Sequence, residues 1–181
     1  MRIISGTHRG RHIEPGKQFT ARPTTDFAKE NLFNILATRL NFESLNVLDL
    51  FAGTGSISYE FVSRGCPVVH AVEMDNRHAA FIRKTIDALG MEKNLRIVRM
   101  SAFQFIKSAH HSYDVIFADP PYDLKDIASI PDLILNSNLM APNAVFILEH
   151  GKAIHFLSHP NIVDAREYGS VRFSFFKKPE E

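Results

Sequence analysis

Asp119-Pro120-Pro121-Tyr122 sets a carboxylate, two prolines and a phenol ring directly after the apolar run Tyr113 to Ala118. Two prolines end a strand and stiffen the turn that follows, so the Asp119 carboxylate, the Pro120 carbonyl and the Tyr122 ring are held in fixed relation. Such a turn suits a planar group that bears an NH₂. A second stretch, Asn46 to Ser58, reads Asn-Val-Leu-Asp-Leu-Phe-Ala-Gly-Thr-Gly-Ser-Ile-Ser. Its apolar run breaks into a Gly-rich turn and then into residues that start a helix. Gly53 and Gly55 have no Cβ, so a ligand can approach the backbone near the N-terminus of that helix. Asp49 is a lone carboxylate in a buried strand, which is costly unless it has a task. Pro67 to Val72 is another apolar run, and Glu73 ends it about twenty residues beyond the glycines, where an acid can take both hydroxyls of a ribose. An adenosine-containing ligand follows from these features.

The elements that must position these groups alternate along the chain. Strands are expected at Val47 to Phe51, Pro67 to Val72, Leu95 to Met100, Tyr113 to Ala118 and Ala144 to Leu148. Helices are expected at Gly55 to Arg64, Arg77 to Leu89 and Ala102 to about Ala109. Leu124 to Ile130 and Pro131 to Asn136 read as one interrupted helical stretch. Ile162 to Tyr168 and Val171 to Lys177, joined at Gly169-Ser170, alternate like an antiparallel hairpin at a sheet edge. This order implies a mostly parallel α/β sheet covered on both faces. Ligands of such sheets bind beyond the carboxyl ends of the strands, where Gly53, Glu73, Ser101 and Asp119 all fall.

At the amino end, Met1 to Ile13 reads as a small hairpin and Glu14 to Thr25 as a loop. A helix from Asp26 to about Leu40 follows, capped by Thr24 or Thr25, with Leu32, Leu36 and Leu40 on its core face. A basic hairpin and loop extension, residues 1–25, thus precedes a domain of residues 26–181. The 181 residues carry a net charge of only +1, but the first 22 hold five basic side chains against one acid. An exposed basic segment favours a polyanion. Cys66 is the only cysteine, which leaves no disulfide framework, and no membrane-length apolar run is present. A cytoplasmic location is expected. His8 with His12 and His155 with His159 have the spacing of helical ligand pairs, but neither has a third ligand at a recognised distance, and no metal is expected. Phe173, Phe175 and Phe176 read as core.

Asp49-Leu-Phe-Ala-Gly-Thr-Gly55, Glu73-Met-Asp75 and Asp119-Pro-Pro-Tyr122 resemble the motifs of class I S-adenosylmethionine-dependent methyltransferases acting on exocyclic amines. Met1-Arg-Ile-Ile-Ser-Gly-Thr-His-Arg-Gly-Arg11, Arg22-Pro-Thr-Thr-Asp26 and Glu30-Asn-Leu-Phe-Asn34 narrow the likeness to the RsmD family, bacterial methylases of a guanine N2 amine in 16S ribosomal RNA. The resemblance implies a Rossmann-like fold with a seven-stranded sheet and a closing hairpin. It also implies that S-adenosylmethionine is held by Asp49, Phe51, Ala52, Gly53, Gly55, Glu73, Met74, Ser101, Ala102 and Asp119. Ser101 stands where many such enzymes carry an Asp for the adenine amine, so that contact falls either to Ser101 or, in its place, to the Ala102 backbone. Catalysis falls to Asp119, Pro120, Pro121 and Tyr122, and phosphate contacts to Arg9, Arg11 and Arg22. The implied partner is ribosomal RNA within the small subunit, met by a monomer. Three other readings fit the motifs: an adenine-N6 methylase of DNA or RNA, an NAD-linked oxidoreductase, and a non-catalytic RNA-binding module. Ser58 stands where a dinucleotide fingerprint wants its third glycine, which disfavours the oxidoreductase.

Overall fold

Apolar runs of five or six residues, too short for a helix and too continuous for a one-faced strand, form the centre of the sheet. A computed structural model describes residues 1–16, 19 and 25–179; Lys17 and the Arg22-Pro23-Thr24 segment lie outside the described residues. Strands β1 (Asn46–Leu50), β2 (Val68–Glu73), β3 (Leu95–Arg99) and β4 (Tyr113–Ala118) alternate with helices α2 (Ser56–Ser63), α3 (Asn76–Leu89) and α4 (Ala102–Ser108). Helix α1 (Asp26–Ala37) precedes them, and α5 (Ile130–Leu135), β5 (Met140–His150), β6 (Ile162–Tyr168) and β7 (Val171–Phe176) follow. The seven strands run in the order β3-β2-β1-β4-β5-β7-β6. Strands β1 to β5 pair in parallel, and β7 runs antiparallel to both β5 and β6. This is the Rossmann-like α/β fold with a closing hairpin.

The two-residue period of a strand divides the core. Val47, Val115, Phe117, Ile147 and Phe173 pack with Leu32 and Phe33 of α1, Phe61 of α2 and Ile82 of α3. Their neighbours Leu48, Leu50, Ile116, Phe146 and Leu148 pack on the opposite face with Phe105 of α4 and Ile130 and Ile134 of α5. Both faces are covered, so the central strands carry no polar side.

Three boundaries differ from the sequence reading by three residues or more. Strand β5 begins at Met140 rather than Ala144: Tyr113 pairs with Met140 and Val115 with Val145, and the extra residues form a bulge that holds Asn143 at φ 63°. Helix α1 stops at Ala37, because the Thr38 amide and hydroxyl both turn back to the Ile35 carbonyl. Leu124 to Asp126 is not helical; a 3₁₀ turn at Ile127–Ser129 leads into α5.

The amino-terminal hairpin is a single bridge, Arg2 to His12, with Ile3 and Ile13 buried in the core beside α1 and α2. Glu60 of α2, wholly buried, secures it. Its carboxylate accepts from the amides of Ile4 (2.8 Å) and Ser5 (3.1 Å) and from Arg64 Nε (2.8 Å). Lys29 of α1, equally buried, stands 4.0 Å away and donates to the Arg2 carbonyl and to Ser56 Oγ.

Candidate active site

The carboxyl ends of β1, β2, β4 and β5 surround a cavity of about 890 Å³. Of the residues singled out in the sequence, Phe51, Gly53, Glu73, Met74, Ser101, Ala102, Asp119, Pro120, Pro121 and Tyr122 line it. Asp49, Ala52 and Gly55 do not reach its surface. Arg9 and Arg11 are exposed on the hairpin, outside the cavity, and Arg22 lies outside the described residues.

The β1 turn is built from left-handed backbone. Phe51, Gly53 and Gly55 have φ of 61°, 56° and 82°. For Phe51 that conformation costs about 1–3 kcal/mol, and it sends the ring into the cavity wall, edge-on to Phe103. A Cβ at Gly55 would come within 2.6 Å of the Tyr59 ring, whereas one at Gly53 would meet nothing closer than 4.0 Å. Gly55 therefore serves packing, and Gly53 leaves open space for a ligand. Glu73 ties this turn to the end of β2, accepting from the Gly53 amide (2.8 Å) and the Asp75 amide (2.8 Å). Asp75 then caps α3 by accepting from the amides of Arg77 and His78.

Asp49 is buried behind the turn and accepts the Ser58 hydroxyl at 2.6 Å, which fixes the first turn of α2. Burial pushes its carboxyl up to about 7, against the hydrogen bonds from Ser58, with the charges of Glu73 and Glu149 adding to the rise. Asp119 follows the same logic. Burial, then the negative charges of Glu149 and Asp49, hold its carboxyl well above the ordinary carboxylate range. A carboxylate in that state is stabilised by any cation or N–H donor that enters the cavity.

Sequence reasoning passed over Glu149, which is 2 % exposed and lines the cavity beside Asp119. The signal was present: Glu149 ends the apolar run Val145 to Leu148, as Glu73 and Asp119 end theirs. His78, Met100 and Phe103 also line the wall without having been singled out, and Thr25 and Asp75 do so besides capping α1 and α3. Ser101 precedes α4, and its hydroxyl makes no capping bond to that helix. Among the described residues no group of three or more His, Cys, Asp or Glu is placed to hold a metal ion. Nor is any helix of these residues long and apolar enough to cross a membrane.

The sequence model of a family described as Conserved hypothetical protein 95 matches residues 1–177. A ribosomal RNA small subunit methyltransferase D from Haemophilus influenzae is 32% identical over 155 residues, covering 84% of this chain and 79% of that protein. A solved structure from Escherichia coli, named as a methyltransferase, superposes with a TM-score of 0.85 at 25% identity, covering 100% of this chain and 99% of that one. Another, named as a methyltransferase complexed with SAH, shares the fold at 17% identity and a TM-score of 0.66, over 81% of this chain and 48% of its own. With its motifs in one cavity and the family model spanning nearly its whole length, the chain belongs to the RsmD family of ribosomal RNA methyltransferases.

Proposed function

We propose that this chain transfers the methyl group of S-adenosylmethionine to the N2 amine of a guanine in small-subunit (16S) ribosomal RNA. The observation that carries the reading is the meeting of the Gly53–Glu73 wall and the Asp119-Pro120-Pro121-Tyr122 turn in one cavity. That cavity is of the size small-molecule sites have. When bound, S-adenosylmethionine supplies an electrophilic methyl group on a sulfonium.

The residues fit such a ligand. Glu73 already accepts two amides, and its remaining lone pairs would accept from the ribose hydroxyls. Met74, 69% exposed at the cavity, would offer an apolar face to the adenine ring, and Ser101 or the Ala102 amide would meet its edge. On the acceptor side, an aromatic amine is a poor nucleophile because its lone pair is delocalised into the ring. Asp119 and the Pro120 carbonyl accept its two N–H bonds, which lets the nitrogen pyramidalise and aim its lone pair at the methyl group. Tyr122, half-exposed, stacks on the base and fixes its plane, so much of the rate comes from positioning. The cationic amine that forms lies against Asp119, whose raised proton affinity makes it a good acceptor for the departing proton. A base within a helix must be unstacked to enter. Arg9 and Arg11, exposed on the 1–25 extension, contact phosphates, and Arg22 is assigned the same role on sequence grounds.

The H. influenzae relative's name supports ribosomal RNA as the substrate, and the SAH complex of a fold relative supports the cofactor. In the test, Asp119→Ala abolishes transfer while S-adenosylmethionine still binds; undiminished turnover contradicts the assigned role. An adenine-N6 reaction uses the same turn and remains the competing acceptor.

A further inference from the structure

The Asp-Pro-Pro-Tyr turn serves a guanine and an adenine amine alike, so the choice of base must come from elsewhere in the cavity. The two bases differ at the ring atom beside the amine. Guanine N1 carries a hydrogen and donates; adenine N1 carries a lone pair and accepts. A fixed anion next to the amine site therefore favours one base and repels the other.

Glu149 is placed to be that anion. Strands β4 and β5 pair Ala118 with Leu148, so the next residues of each, Asp119 and Glu149, emerge side by side at the carboxyl edge of the sheet. Residues in register on parallel strands point the same way and lie about 4.8 Å apart. Ala118 and Leu148 both pack on the α4–α5 face, so their successors point to the other face together. Both line the cavity, with Glu149 almost wholly buried. The negative charge of Glu149 is also felt at the Asp119 carboxyl, which it raises further after burial. Side chains from adjacent positions on neighbouring strands can converge on two neighbouring donors at one edge of a ring.

We infer that Glu149 selects guanine by accepting its N1–H while Asp119 and the Pro120 carbonyl hold the N2 amine. The inference rests on the proposed guanine-N2 reaction and adds what that reading lacks, a residue that separates guanine from adenine. Against adenine, the Glu149 carboxylate would face the N1 lone pair with no hydrogen between them, a repulsive contact in a water-poor wall.

The test uses 2-aminopurine, which keeps the N2 amine but has an acceptor at N1. Small subunits are reconstituted with RNA carrying guanosine or 2-aminopurine, by splinted ligation, at the nucleotide the wild-type enzyme methylates. Methyl transfer from labelled S-adenosylmethionine is then compared for the wild type and Glu149→Gln. The wild type should prefer guanosine by about ten- to hundredfold, the worth of one hydrogen bond to a charged group. Glu149→Gln should lose most of that preference, because an amide can accept from guanine N1–H or donate to an N1 lone pair. Its affinity for S-adenosylmethionine should not change. Equal rates on the two bases by the wild type overturn the inference without any variant being needed. So does a Glu149→Gln enzyme slowed equally on both, the mark of a merely structural residue. If wild-type enzyme makes N2-methylguanosine in no sample, the parent reading fails and this one with it.

Discussion

Glu60→Gln is the perturbation whose cost the structure defines most closely. The Glu60 carboxylate is fully buried and accepts from two hairpin amides and Arg64, with the buried Lys29 ammonium 4.0 Å away. Glutamine keeps one acceptor oxygen but turns an NH₂ toward the other donors, stranding at least one amide at about 1–3 kcal/mol. It also leaves Lys29 without its countercharge, and removing one partner of a buried pair costs about 3–5 kcal/mol. The two effects overlap, so a loss of about 3–5 kcal/mol is expected, a large share of a stability of about 5–15 kcal/mol. Lys29→Met should behave differently. Burial lowers the Lys29 pKa more than Glu60 raises it, so the ammonium is held at a net cost. Its removal leaves Glu60 still paired with Arg64 and the two amides. Lys29→Met should therefore stay within about 1–2 kcal/mol of the wild type, and in the Glu60→Gln background it should recover part of the loss. Urea unfolding of the four proteins, with midpoints and m-values fitted together, measures all of this. A Glu60→Gln loss below about 1 kcal/mol, or a Lys29→Met loss larger than that of Glu60→Gln, would refute the reasoning.

Further outcomes follow from the site. Because Asp119 must be ionised to accept the amine hydrogens, the methylation rate should climb with pH through its raised pKa and then level off. Glu149→Gln removes one of the charges that raise it, so the climb should shift to lower pH; a shift the other way would contradict the coupling. Gly55→Ala forces a Cβ against Tyr59 in left-handed backbone and should cost about 2–4 kcal/mol by denaturant unfolding. Gly53→Ala meets open space, costs only the backbone strain of about 1–2 kcal/mol, and should weaken S-adenosylmethionine binding by calorimetry instead. Arg9→Ala and Arg11→Ala should each weaken RNA binding uniformly across sequences and reduce the log–log salt slope by about 0.7–0.9.

Acids at the ends of apolar runs were the most legible features, because a carboxylate that terminates a buried strand has few bland explanations. Glu73 and Asp119 were found this way, and both line the cavity. Glu149 carries the same signature, directly after the run Ala144 to Leu148, but stands in none of the motifs that singled out Glu73 and Asp119. A bulge also carries β5 back to Met140, so the strand is longer than the apolar run that marks it in the sequence. Asp49 announced that it had a task, but the sequence could not say that the task was to hold Ser58 behind the wall. The Glu60 network was illegible for a different reason. Its partners lie 55 and 56 positions away, and a lone Glu on a helix looks like a solvated face until the hairpin is known to cover it. The sheet order was legible as a class because alternating strands and helices admit few arrangements.

The most direct test of the central claim incubates the protein and methyl-labelled S-adenosylmethionine with unmodified small ribosomal subunits, naked ribosomal RNA and duplex DNA. The products are digested to nucleosides and read by mass spectrometry. Labelled N2-methylguanosine from a ribosomal sample is the result the account predicts. Labelled N6-methyladenine, or no label in any sample, would contradict it.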